Sequence, residues 1–401
     1  MAGMLCAGGL RSHDVACKHG RAKARHGMLQ VPWAGSTGKA ALVASQSTLR
    51  RSGVRDHARW ALHHQAVLRH RSYGRTRRNV METVYARRLT SRERKQIRDY
   101  AIDVFGSAGF AAWLEQFTVV RGEFKEGWMP LDHFELIVAP QVNRRLHDVS
   151  GAKTLTPYLL DSVRMPDLAT LIRGSYFGLD GVPIPVGDVA SVLFAHADEV
   201  VVKDDGGARS LATTVVSRAT FDALDVAQRH PNAALQRRIS VHPDLQAVSG
   251  GFGTKVRMTT CRASGQMPEL RGAYIAFPGH RDPYTIERNA SWAAISLETG
   301  RTTHAYLNEL TRDPFHPTTR VPLEGMHVPG FVEAARMCVD AHRAFPHLGV
   351  IGWDVMIDTA QIPWVIEWNV GAPNVHVHEV LEGPSLTGLG WHELRWTPAF
   401  A

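Results

Sequence analysis

Three oxygen-bearing side chains, Asp354, Glu367 and Asn369, have types and spacing that suit a divalent metal ion. They lie in two short apolar segments, residues 350 to 358 (VIGWDVMID) and 364 to 369 (WVIEWN), whose Val, Ile and Trp content predicts an antiparallel hairpin. Residues two apart on a strand share a face, so Glu367 and Asn369 project together and the hairpin places Asp354 beside them. Oxygen ligands without Cys or His suit Mg²⁺, which proteins usually bind together with nucleotide phosphates. The alternative is an edge strand whose acids face water, but acids are uncommon in strands this apolar unless they are paired or bound.

Cationic side chains upstream have the chemistry to hold phosphates. Lys203 ends the predicted strand VVVK, and Gly206 and Gly207 follow it, so backbone N–H groups of a glycine turn could hold an anion beside the lysine. Arg257 lies in the predicted strand VRMTT, where alternation directs it away from the apolar Val256 face. A guanidinium suits phosphoryl or carboxylate oxygens. The alternatives are an ordinary hairpin tip at the glycines and a surface ion pair at Arg257.

These motifs together resemble one protein family. The D-x12-E-x-N pattern is similar to the metal-binding end of the ATP-grasp ligases, and GWDV followed by IEWN resembles their sugar-transfer-associated branch. The segments 240 to 260 (SVHPDLQAVSGGFGTKVRMTT) and 316 to 331 (HPTTRVPLEGMHVPGF) resemble the same branch, and the likeness extends over residues 140 to 385. It implies an α+β fold in which two α+β subdomains grip ATP, with Mg²⁺ as the metal and Mn²⁺ as a possible substitute.

The resemblance also implies roles for individual residues. Asp354, Glu367 and Asn369 are expected to hold the metal, with Lys203 and Arg257 acting catalytically around the transferred phosphoryl group. The expected nucleotide contacts are Lys153, Lys203, Gly206, Gly207, Gln236 and Ile239.

The chain departs from the family pattern at two places near the nucleotide. Asp204 and Asp205 replace the usual proline-containing turn after Lys203, where like charge would repel phosphates. Gln236, Arg237 and Arg238 occupy the segment in which the family normally offers an acid to the ribose hydroxyls. We therefore expect nucleotide binding through backbone groups, or with weakened affinity.

The expected reaction is ATP-dependent amide formation from a small-molecule carboxylate and an amine through an acyl phosphate, in polysaccharide or peptide biosynthesis. Two alternatives stay open on sequence alone. One is a kinase that phosphorylates a sugar or another small molecule with the same metal and nucleotide residues. The other is a degenerate, non-catalytic ATP-grasp scaffold, which the departures favour and the intact Asp, Glu and Asn set opposes.

Charge is distributed unevenly along the 401 residues. Net charge is +8, yet residues 1 to 90 hold 17 Lys and Arg against 3 Asp and Glu, so the remainder is net acidic. We interpret residues 1 to 80 as a largely disordered basic arm with a short helix near residues 59 to 70, dispensable for nucleotide binding. The arm could be a mis-called start preceding Met81, a targeting segment, or a segment that binds acidic partners through charge. No specific nucleic acid is expected.

Changes in residue pattern divide the rest of the chain into three predicted regions. Residues 81 to 135 form a predicted helical lead-in, 136 to 390 the ATP-grasp domain and 391 to 401 a tail. Residues 134 to 140 (FELIVAP) are predicted to be a strand, and Lys153 to precede a helix beginning near residues 154 to 157. The four cysteines show no CxxC spacing and no membrane-spanning run is present, so a cytoplasmic protein is expected.

Overall fold

A computed structural model describes residues 52–206, 213–250, 253–279, 290–307, 311–371 and 373–397. The chain divides into two compact units, Met1–Arg55 and Asp56–Ala401, and the sheets, cores and site described below belong to the second. Two predictions concern residues outside the described ranges: Gly207 and the arm up to residue 51. No helix in the described ranges is both long and apolar enough to cross a membrane.

The described residues contain helices before, between and after the strands. The helices are α1 (Ser52–Val84), α2 (Ser91–Phe105), α3 (Ala111–Arg121), α4 (Leu131–His133, continued by a π-helical segment Phe134–Val138 and by Ala139–Val142), α5 (Thr156–Leu159), α6 (Val189–Leu193), α7 (Ala223–Arg229), α8 (Pro243–Ser249), α9 (Phe331–Arg343) and α10 (Val375–Leu381).

Two antiparallel sheets form the body. The smaller has the order β2-β1-β5-β3-β4 and contains β1 (Asp167–Ile172), β2 (Ser175–Phe177), β3 (Glu199–Asp204), β4 (Thr213–Ser217) and β5 (Asn232–Arg237). The larger has the order β10-β9-β8-β7-β6-β11-β12 and contains β6 (Lys255–Cys261), β7 (Glu269–Phe277), β8 (Ser291–Ile295), β9 (Thr302–Leu307), β10 (Thr311–Arg312), β11 (Val350–Ile357) and β12 (Pro363–Asn369). The fold is the expected mixed α+β class, with the chain crossing from the small to the large sheet between β5 and β6.

The large sheet is buried on both faces, which explains its apolar strands. One face packs against α9 through a core that includes Phe331, Trp353 and Trp368. Part of the other face packs against the N-terminal helices through Trp113 and Trp292. Polar residues on this second face are therefore exceptions that need partners or ligands.

Helix α1 is longer and more closely packed than the sequence indicated. It runs for 33 residues, and Met81 is fully buried. Arg78 donates to Glu115 on α3 at 2.5 Å, and Gly74 lies so close to Trp113 that an added Cβ would come within 3.2 Å of the indole. Helix α1 thus runs through residue 80 and packs on the helices that follow it.

The segment FELIVAP is helical, so its prediction as a strand is wrong. Phe134, Ile137 and Val138 are the buried positions of its π-helical part, and their spacing of three and four residues is that of a helix. A short apolar run has the same composition as a buried strand and as a buried helix face. Packing against neighbouring elements decided between them.

The two strands of the predicted hairpin form as expected, and a residue from outside the hairpin joins them at the end opposite the turn. Asn143, fully buried, donates through Nδ2 to the carbonyl oxygens of Val350 and Val370, both at 2.8 Å. Its Oδ1 accepts from the backbone N–H groups of Gly349 and Val350 at 2.9 and 3.0 Å. One amide thus ties the start of β11 to the residue that follows Asn369.

Candidate functional site

Three of the predicted site residues form a row across adjacent strands. Asp354 on β11 is paired in register with Glu367 on β12 and with Arg257 on β6. Directly opposite residues on antiparallel strands have Cβ atoms about 5 Å apart, so the two carboxylates and the guanidinium share one face. The strand register, which has an irregularity just after Asp354, brings Asp354 beside Arg257, 97 positions earlier in the sequence, and beside Glu367, 13 positions later.

Asp354 is held by two cations. Arg257 Nε donates to Oδ1 at 2.5 Å, and Lys255 Nζ donates to Oδ2 at 2.7 Å. The Asp354 side chain is only 1% exposed, and burial alone would raise its pKa. The adjacent Arg257 and Lys255 charges more than offset burial and hold the pKa below its usual range. Asp354 is therefore a carboxylate at neutral pH.

Glu367 is paired with the predicted phosphate ligand Lys153. Lys153 Nζ donates to Glu367 Oε1 at 2.8 Å, and the Glu367 side chain is 33% exposed. Burial opposes its ionisation and Asp354 does so as well, but Lys153, Lys203 and Lys255 together lower its pKa. The second carboxylate is thus also ionised, and it is more accessible than the first.

Lys203 links the two sheets across this site. It projects from β3 of the small sheet, and its Nζ donates to the carbonyl oxygen of Ile366 on β12 at 2.8 Å. Burial lowers its pKa to about 8, with Glu367 opposing the shift. Four cations therefore surround two carboxylates, an excess of positive charge that suits a polyphosphate; they are Lys153, Lys203, Lys255 and Arg257.

The third predicted metal ligand is Asn369. It lies on β12 opposite Gly352, two residues beyond Glu367, and its buried Nδ2 has no hydrogen-bond partner among the described residues. Those residues contain no group of three or more His, Cys, Asp or Glu side chains that could hold a metal. The donor set is two carboxylates and one amide oxygen, which fits Mg²⁺ in the company of phosphate oxygens.

The two acids in the turn after Lys203 were expected to repel phosphate, but both have partners within the protein. Asp205 accepts from the backbone N–H and the hydroxyl of Thr154 at 2.9 and 2.8 Å. Asp204 lies 2.9 Å from Nδ1 of His230. Gly206 adopts a positive φ of 69°, and its N–H donates to the carbonyl oxygen of Gly151 at 2.8 Å. Both acids are thus bound by protein groups, and Asp205 and Gly206 fix the loop that carries Lys153.

The predicted nucleotide hinge lies at the end of β5, where Gln236 and Ile239 are both buried. Gln236 Nε2 lies 3.2 Å from each oxygen of Asp167 on β1. Burial raises the pKa of Asp167 to about 6, although Gln236 and Lys203 oppose the shift. Arg237 stacks 3.9 Å above the ring of Trp364, and Arg238 bonds to Glu199. Both arginines where a ribose acid was expected therefore serve contacts within the protein.

Sequence reasoning missed three residues of this region: Lys255, Asp167 and Asn143. Lys255 had a usable signal, because it lies two positions before Arg257 on the same strand and so shares its face. Asp167 and Asn143 had none, because their partners lie 69 and at least 206 residues away.

Comparisons with known proteins bear on the fold and the family. The structure resembles D-alanine-D-alanine ligase from Coxiella burnetii (15% identity, 63% of this chain and 58% of that chain, TM-score 0.37). It also resembles the ATP-grasp ligase PsnB complexed with its minimal precursor (13% identity, 63% of this chain and 63% of that chain, TM-score 0.38). A third likeness is to the biotin carboxylase domain of Hydrogenobacter thermophilus 2-oxoglutarate carboxylase (12% identity, 75% of this chain and 55% of that chain, TM-score 0.39). This chain thus spans less than two thirds of each, and at these values the likenesses do not bear on activity.

Among curated proteins no match was found. The model of the sugar-transfer associated ATP-grasp family matches residues 187–392, just over half of the chain and the part that carries both carboxylates, the amide and three of the four cations. The expected fold is confirmed, and the chain belongs to the sugar-transfer associated ATP-grasp family.

Proposed function

We propose that this protein is an ATP- and Mg²⁺-dependent ligase that joins a small-molecule carboxylate to an amine through an acyl phosphate. The observation that carries the proposal is the row of Arg257, Asp354 and Glu367 together with the lysines around it. Two ionised carboxylates with a neighbouring amide oxygen suit a metal, and surplus positive charge suits the phosphates. A purely structural role does not account for four cations around two carboxylates, since burying charged groups is costly even when they are paired.

In the first step a carboxylate oxygen of the substrate attacks the γ-phosphorus, and the bond to the β,γ-bridging oxygen breaks, so that ADP departs with the bonding electrons. Lys203 and Arg257 are proposed to hold the phosphoryl oxygens, because phosphoryl transfer depends on positioning and charge stabilisation. Lys153 is proposed to release Glu367 and turn to the nucleotide. In the second step the amine nitrogen attacks the acyl carbon, phosphate leaves, and the amine loses a proton.

Asp354, Glu367 and Asn369 would hold Mg²⁺. When bound, the ion neutralises phosphate charge and stabilises charge that develops in the transition state. Lys255 donates to Asp354 Oδ2 and Lys153 donates to Glu367 Oε1, so the two lysines are proposed as counterions of the carboxylates. Gln236, Ile239 and Gly206 are proposed as further contacts to ATP, as is Gly207.

The test is trapping of the intermediate. The full chain is incubated with ATP, Mg²⁺ and pooled amino acids and amino sugars, and ADP and inorganic phosphate are measured with and without hydroxylamine. A ligase releases phosphate together with ADP, and hydroxylamine converts its acyl phosphate to a hydroxamate. Formation of a phosphorylated acceptor without free phosphate would instead identify a kinase, and binding of ATP without any turnover across the pools would support a scaffold.

A further inference from the structure

The contact between Gln236 and Asp167 fixes which end of the glutamine amide faces the protein. An ionised carboxylate only accepts hydrogen bonds, so the group that approaches both Asp167 oxygens at 3.2 Å must be the NH₂ of Gln236. The two residues are register partners on β1 and β5, and both are buried. The Gln236 Oε1 atom therefore points away from Asp167, and no described residue donates a hydrogen bond to it.

Gln236 lies on the face of the small sheet that is turned toward the large sheet. Along β5, Ala233 and Leu235 belong to the core of the small sheet, so Ala234 and Gln236 project from the opposite face. Lys203 is the register partner of Ala234, and it reaches across to β12. Gln236 thus lies about 7 Å along the strand from the row that contains Lys203.

The neighbouring chain supports a nucleotide base at this position. The strand β5 ends at Arg237, one residue after Gln236, and the chain then passes through α8 to β6, which carries Lys255 and Arg257. A triphosphate held at the four cations would therefore extend its base toward the place where the two sheets are joined. The acceptor Oε1 of the buried Gln236 side chain is a polar atom that the hinge offers to that base.

We propose that Asp167 is a positioning residue that orients the Gln236 amide so that Oε1 accepts a hydrogen bond from the 6-amino group of the purine. This inference rests on the proposed use of ATP, and it adds a device for choosing the base. A purine with a 6-oxo group would place oxygen against oxygen, and Gln236 could rotate to accommodate it only by turning its own oxygen against the Asp167 carboxylate.

The experiment compares equilibrium binding of MgATP and MgITP by calorimetry, because inosine differs from adenosine at the 6-position and at the N1 proton that accompanies it. The wild-type chain is expected to bind MgATP at least about tenfold more tightly, since the wrong base leaves a buried polar group unpaired. In Asp167→Leu the amide is free to rotate, and the ratio of the two dissociation constants is expected to fall to about two or less.

Two further variants separate orientation from structure. Asp167→Asn keeps the side-chain volume but can present either an oxygen or an NH₂ group to Gln236, so both amide orientations become available and the preference for MgATP is expected to fall toward that of Asp167→Leu. Gln236→Leu removes the acceptor and is expected to abolish the preference even if Asp167→Leu fails to fold. Loss of the Asp167 charge near Lys203 changes the affinity of both nucleotides alike, so only the ratio reports on orientation.

A wild-type chain that binds both nucleotides equally, or a Gln236→Leu protein that keeps the wild-type ratio, overturns the inference and leaves the proposed ligase intact. Conversely, the expected ratios without hydroxamate formation support the inference and count against the ligase. Absence of binding by either nucleotide overturns both.

Discussion

At the scale of single residues, the site is a balance between carboxylates and cations. Asp354 is bound on both oxygens by Arg257 and Lys255, whereas Glu367 is bound on one oxygen by Lys153 and is more exposed. Removing a charge destabilises a protein least where solvent reaches the group and where its partner keeps a hydrogen bond. Glu367 is therefore the better residue for testing the metal assignment without losing the fold.

We expect Glu367→Gln to fold and to lower metal-dependent ADP production by about 100-fold, equivalent to about 2.7 kcal/mol of transition-state stabilisation. The volume is kept, and the amide oxygen can still accept from Lys153. Initial rates at saturating ATP and Mg²⁺ measure the effect. The matched control is Glu333→Gln on α9, which removes the partner of an exposed arginine and is expected to leave the rate unchanged. A Glu367→Gln protein with the parent rate would contradict the metal assignment.

Lys203 is expected to give ATP binding a distinct pH dependence. Burial places its pKa near 8, so it is protonated below that pH and becomes neutral above it. Attraction for phosphate is therefore present at pH 7 and declines as pH rises through 8, and calorimetric dissociation constants between pH 7 and 9 should increase. Lys203→Met should weaken binding already at pH 7 and flatten this pH dependence. If the slope is the same in both proteins, Lys203 does not carry it.

At the scale of secondary structure, the positions of Asp354, Glu367 and Asn369 depend on a residue outside the hairpin. Asn143 makes four hydrogen bonds that tie β11 to the end of β12, so the chain that continues from Asn369 is held from the end of α4. Its amide satisfies two donors and two acceptors at once, which no other side chain of that size can do.

We expect Asn143→Asp to reduce the free energy of unfolding by more than about 2 kcal/mol, because a carboxylate cannot donate to the two buried carbonyl oxygens and repels them. Urea denaturation measures this change. Asn79→Asp on the exposed face of α1 makes the same chemical replacement and should change stability by less than about 0.5 kcal/mol. Equal effects of the two substitutions would show that the four bonds do not stabilise the hairpin.

At the scale of the molecule, the N-terminal helices and the large sheet share one hydrophobic core. Helix α1 adds the buried Met81, the close contact of Gly74 with Trp113, and the ion pair of Arg78 with Glu115. A chain that begins at Met81 loses the last two of these contacts and exposes part of the Trp113 surface.

We expect a chain that begins at Met81 to have a melting temperature a few degrees below that of a chain that begins at Ser52, since each lost kcal/mol lowers the midpoint by about 2 °C in a large domain. Differential scanning calorimetry on the two proteins provides the comparison, and the chain from Ser52 retains every contact named above. Identical melting temperatures would show that residues 52 to 80 of α1 are dispensable for stability.

The sequence by itself determined the strands that carry Asp354, Glu367 and Asn369, because alternation of apolar residues and the spacing of polar ones are local properties. The same local information identified Lys203 and Arg257, and through the motifs the family. It misassigned residues 134 to 140, where a short apolar run is compatible with both helix and strand, and it understated α1, whose helical state is supported by packing on α3. Only the tertiary structure decided the partners: Lys255 on Asp354, Lys153 on Glu367, Asp167 on Gln236 and Asn143 between two strands. Such contacts join residues far apart in sequence, and their geometry depends on the register and packing of whole sheets, which no local pattern records.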